Sequence, residues 1–165
     1  MNGPSSRRSE PEARARELYG SIVAQSRDVA LYRDVGVPDT IEGRLEALML
    51  HVAIAMGRLG DSTPQGQEQS RLLVERFVED VDDNLREIGI ADLKVPAKVK
   101  QAAAALYERQ THYQTALAGA PGMLEEALAR HFGSLAGGDA VDITRLAAHV
   151  RALAAAPAPH PSRTS

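Results

Sequence analysis

Five histidines, His51, His112, His131, His149 and His160, and the carboxylates around Asp80, Asp82, Asp83 and Glu87 are the side chains with chemistry to offer. Histidine nitrogens ligate zinc, copper or haem iron, and paired carboxylates can act as an acid and a base. The spacing argues against both uses. No HExxH pattern occurs and no two histidines stand close in sequence, so no metal ligand is assigned. Cysteine is absent, which removes disulfides, thiolate nucleophiles and cysteine zinc sites. The carboxylates come without ligand spacing or pocket-lining aromatics, so no catalytic residue or cofactor is assigned and the chain is not expected to be an enzyme. His51 is the exception to weigh. It stands in an apolar stretch where an imidazole could serve as an axial haem ligand, although a hydrogen-bonded histidine is the commoner use of such a position. A haem- or quinone-related small-molecule binding protein is therefore the alternative reading.

Two polar borders offer recognition instead. Counting about 100° per residue on the helix expected over Pro64–Ile88, Asp80, Asn84 and Glu87 line one edge of the apolar stripe. Asn84 falls only about 40° from the middle of the buried face, a costly place for an amide unless its hydrogen bonds are met. The other border is basic: Arg44, His51 and Arg58 recur at seven-residue steps on an apolar helix. The two borders can pair with each other, or they can receive polar groups of a partner. Beyond the acidic helix end, GIADLKVPAKVK carries Asp92, Lys94, Lys98 and Lys100. Cations at a helix start oppose the helix dipole, so these lysines are not there for the helix itself.

The elements that must position these groups are helical. Apolar residues recur at steps of three and four, with no sustained period-two alternation. The expected helices are Glu12–Gln25, a short piece Val29–Asp34, one capped by Asp39 or Thr40 and closed by Gly60, then Pro64–Ile88, one restarting at Pro96 and broken at Gly119, Met123–Phe132 and Ile143–Leu153. Leu18, Ile22, Ile41, Leu45, Leu48, Met49, Val52, Met56, Leu59, Phe77, Val81, Leu85, Ile88, Leu106 and Tyr113 are expected to face inward. The helix through Leu45–Leu59 is apolar nearly all round, which marks it as the central element. The fold class is all-α: a single-domain bundle of about five to seven helices around that helix, spanning residues 12–153 between a disordered lead, 1–11, and a disordered Pro/Ala tail, 154–165.

Composition narrows the partners. The chain has 165 residues, 44% of them hydrophobic, enough for one core. Its net charge is -3, so no global positive field favours DNA, and 4% aromatic content leaves little to stack bases on. The longest apolar run covers about 12 residues against the ~20 that cross a bilayer. A soluble, cytoplasmic protein is expected, with peripheral contact at the inner membrane allowed.

LYRDVGVPDTIEGR, the apolar LEALMLHVAIAMGRL and FVEDVDDNLREIGIADLKV together resemble the ubiquinol-cytochrome c chaperone family, the assembly factors of respiratory complex III. LYER at 106–109 stands where that family has an aromatic-tyrosine-glycine-arginine pattern; Tyr107 and Arg109 match it, while Leu106 and Glu108 depart. Ala91 and Pro96 also depart, which implies a stiffer loop. The similarity covers residues 18–117. It implies an all-α chaperone for the cytochrome b subunit, a bacterial member of the family, with a small partner protein or the ribosome as further partners. Arg44, Asp80, Asn84, Glu87, Asp92, Lys94, Lys98, Tyr107 and Arg109 are the partner-binding candidates.

Overall fold

The computed structural model describes residues 4–157, with side chains from Glu10 onward; residues 1–3 and 158–165, His160 among them, lie outside the described residues. The elements are α1 (Pro4–Ser26), α2 (Val29–Arg33), α3 (Ile41–Leu59), α4 (Pro64–Glu87), α5 (Val95–Ala118), α6 (Met123–Gly133), a 3-10 turn (Gly138–Ala140) and α7 (Ile143–Ala155). No strand occurs among the described residues, and the architecture is the expected all-α single domain. The first helix starts at Pro4, ahead of the expected Glu12, and runs through Pro11. Arginine and glutamate sustain a helix without an apolar stripe, so periodicity could not mark its start.

α3 is the axis of the bundle. From Met49 to Met56 every residue is buried, whichever way it points, because α1, α4, α5, α6 and α7 all pack around this helix. A helix apolar on all sides has no solvent face to offer, and burial is its stable state. Thr40 opens it, its hydroxyl accepting from Gly43 N at 3.0 Å, while Asp39, the other candidate cap, turns to Arg44 instead. Just upstream, Gly36 has φ +89°, and a Cβ there would lie 2.5 Å from the carbonyl oxygen of Ala140. Only glycine fits that approach, which lets Val35 O accept from Asp142 N at 2.7 Å and seats the VGVP segment on the start of α7.

α4 and α5 form the long hairpin of the molecule. Thr63 caps α4 through Gly66 N, with Pro64 in the first turn as expected. At the far end Ile90 N reaches back to Leu85 O and Gly89 N to Arg86 O, the paired bonds of a glycine-terminated helix, and Gly89 has φ +90°. Phe77 and Val81 are buried, but Asp83, Asn84, Arg86, Glu87, Ile88 and Gly89 are all exposed. The last turn of α4 overhangs its neighbours. Ile88, expected inside, is consequently 54% exposed, and Asn84 never meets the burial cost inferred for it. Ile41 is likewise 65% exposed, since the first turn of α3 stands outside the packed layer.

Candidate functional site

The acidic border is drawn inward by a residue the periodicity did not single out. Tyr19, buried on α1, donates to Asp80 Oδ2 at 2.6 Å, and Asn84 Nδ2 donates to Asp80 Oδ1 at 3.2 Å. Burial first, and the Asp80 contact second, hold the Tyr19 phenol well above its ordinary pKa, so it stays a donor. Asp80 therefore ties α4 to α1, with Asn84 steadying the carboxylate. Glu87 is exposed on the overhanging turn.

The basic stripe does not pair with this border. Arg44 binds Asp39 at 2.7 Å on the surface, and Arg58 donates through Nη2 to the carbonyl of Pro157. His51 is 3% exposed, with Nδ1 2.6 Å from Ala47 O and Nε2 3.0 Å from His149 Nε2. A carbonyl only accepts, so His51 carries its proton on Nδ1 and its bare Nε2 accepts from His149. Burial lowers the His51 pKa to about 4, with His149 adding to the shift, and burial lowers that of His149. Both nitrogens of His51 are engaged, so an axial ligand position for haem would require displacing His149.

Arg109 is largely enclosed by the bundle. Its Nε and Nη2 grip Glu46 Oε1 and Oε2 at 2.8 and 3.1 Å, a two-pronged pair between α5 and α3 with side chains 16% and 5% exposed. Burial works against the guanidinium charge, but the Glu46 bonds overcome it and hold Arg109 above its ordinary pKa. Next to it Tyr113 is fully buried, as expected, and its hydroxyl has no hydrogen-bond partner.

Folding pairs histidines that stand far apart in sequence. Besides His51 and His149, His112 Nδ1 and His131 Nε2 stand 2.9 Å apart with their rings stacked, and Glu108 brings a carboxylate oxygen within 4.8 Å of them. Folding closes both pairs across helices, so no local motif announces them. A lone carboxylate, Glu46, inside an apolar helix was the one readable sign that a buried cation must meet it.

The remaining candidates are on the outside. Arg86 bridges Asp82 at 2.7 Å and Asp92 at 2.8 Å, bracing the turn between α4 and α5. At its tip Leu93 is 97% exposed, and Lys94, Lys98 and Lys100 follow on the surface. Tyr107 is half-exposed and borders an open groove of about 310 Å³, shared with Met56, Gln67, Arg71, Val74 and Gln114, between α3, α4 and α5. Among the described residues no helix is long and apolar enough to cross a membrane.

The sequence profile of a family described as ubiquinol-cytochrome C chaperone matches residues 33–161. In fold, the chain is similar to a crystal structure of the Cbp3 homolog from Brucella abortus, with TM-score 0.75 and 32% sequence identity over 91% of this chain and 86% of that one. A comparison with curated proteins yields no match.

Proposed function

The chain belongs to the ubiquinol-cytochrome C chaperone family, and from that premise we propose that it is a non-enzymatic assembly factor that binds the immature cytochrome b subunit of ubiquinol-cytochrome c reductase. The observation that carries this reading is the hairpin tip. Leu93 is almost wholly in water, Ile88 is half-exposed five residues earlier at the end of α4, and Lys94 follows Leu93 directly. A braced turn that holds large aliphatic side chains out in water, beyond the reach of the bundle's own helices, fits a surface that meets another apolar surface.

The candidate residues then divide by what they touch. Asp92, Lys94, Lys98 and Glu87 surround the tip and contact the client; Tyr107 lines the groove along α5; Arg44 contributes surface charge through its exposed pair with Asp39. Asp80, Asn84 and Arg109 act indirectly, by holding α1, α3, α4 and α5 in register. The protein works in the cytoplasm, with transient contact at the inner membrane where its client is inserted; a small partner protein or the ribosome are further partners. A photo-crosslinking residue placed at Leu93 is expected to capture newly made cytochrome b. Capture only from positions on α7, which packs on α3 and α6, would move the client site elsewhere.

A further inference from the structure

Between α5 and α6 lies a group of ligands that the chaperone reading does not use. Glu108 and His112 are four residues apart on α5, hence on one face of the helix, and His131 faces them from α6. Their ligand atoms lie within 4.8 Å of one another. His131 is buried, with Tyr113 packed edge-on against its ring at 5.6 Å, so its direction is fixed; His112 is half-buried and Glu108 is exposed. A buried imidazole, a half-buried one and an exposed carboxylate at the rim make a graded entrance from solvent to interior.

We propose that Glu108, His112 and His131 bind a divalent transition-metal ion of the zinc type, which clamps α6 to α5. Two nitrogens and one carboxylate oxygen are the donor set that zinc takes with water in the fourth position. At zinc–nitrogen distances near 2.0–2.1 Å, tetrahedral geometry sets the two nitrogens about 3.3 Å apart. The present 2.9 Å must open only slightly, a ring rotation and not a movement of helices. In the hydrogen-bonded pair one of the two facing nitrogens carries a proton. Coordination shifts that proton to the other nitrogen of the same ring, so that both lone pairs face the ion and no net proton is released.

Positive neighbours are the main opposing influence. Arg109 Nη1 stands 3.5 Å from Glu108 Oε1, but its charge is matched by the two-pronged bond to Glu46. Arg130 also acts on His131, from the same helix. Glu108 answers this residual field, which is why the site needs its carboxylate as well as the imidazoles.

Titration of the full metal-free chain with Zn²⁺, followed by calorimetry and thermal unfolding, tests the assignment. One ion per chain and a raised unfolding temperature are expected, and Co²⁺ in place of Zn²⁺ should give the visible absorption of a low-coordinate site. H112Q should abolish both effects, and E108Q should weaken binding by at least roughly tenfold, since even outer-shell partners of a metal carry that much. These two positions are not fully buried, so the variants fold, which circular dichroism checks. H149Q, altering the other histidine pair, should bind as the parent does. An unfolding temperature indifferent to Zn²⁺, binding that survives H112Q, or binding lost in H149Q would each overturn the proposal.

Discussion

Arg109 and Glu46 meet as a two-pronged ion pair between α5 and α3, at 2.8 and 3.1 Å, beside a buried Tyr113 hydroxyl that has no partner. The role of this pair is to fix the register of the central helix against the hairpin that carries the exposed tip, and its loss is felt at a distance from that tip.

Removing one partner leaves the other charge buried. Arg109→Ala should lower unfolding free energy by roughly 3 kcal/mol, while the double change to methionine at Glu46 and Arg109 should recover most of that loss. Urea unfolding of the single and double variants measures both. Equal destabilisation in the double variant would mean that the pair contributes net attraction, beyond avoiding an unpaired charge.

Tyr19→Phe tests the tie between α1 and α4. The ring still fills its place, so only the bond to Asp80 is lost, and stability should fall by about 1–2 kcal/mol. Client capture by the folded variant should be unchanged, because Asp80 acts inside the bundle.

Stability should fall with acid before carboxylates begin to protonate. His51 and His131 are both lowered to about 4 from an ordinary 6.5, and His149 is lowered as well, with Asp28 the nearby carboxylate that opposes the shift at His51 and His149. Between about pH 6.5 and 4 the unfolded chain therefore takes up protons that the folded chain refuses, so the stabilisation is complete above 6.5 and is lost as pH falls toward 4. His149→Gln should flatten part of this slope. A chain equally stable at pH 7 and pH 5 would show that these rings protonate freely when folded.

Gly36→Ala should cost about 2 kcal/mol, as a Cβ is both strained at φ +89° and crowded by Ala140 O at 2.5 Å. Thermal unfolding reads it directly. The same change at Gly133, where nothing lies within 4 Å, should be nearly silent or stabilising.

Apart from the start of α1, which no apolar stripe marks, helix boundaries were legible because their signals are local. Thr63 with Pro64, Gly60 and Gly89 mark ends by what a backbone can do at one residue, and the all-round apolar character of α3 announces its central place. The pairings were not legible. Tyr19 and Asp80 are 61 residues apart, Glu46 and Arg109 63, and His51 and His149 98, so only the folded chain brings them together. The helical wheel failed at Asn84 and Ile88 for a different reason: it reads the angle around a helix, but not where along its length the neighbours stop. Lys98 is legible as partner-facing because a cation at a helix start opposes the helix dipole, and Asp92 and Lys94 because they follow the glycine stop, whereas the exposure of Leu93 needed the folded hairpin.

Whether this chain assembles cytochrome b through the hairpin tip is decided in a strain lacking the gene and complemented with the parent or with L93D/K94E. Reduced-minus-oxidised spectra of the membranes measure the cytochrome b that reaches a mature state. A lost cytochrome b signal in the deletion, recovery with the parent chain, and no recovery with L93D/K94E despite normal folding and abundance are expected. An undiminished signal in the deletion, or full recovery with the tip variant, would contradict assembly through the tip.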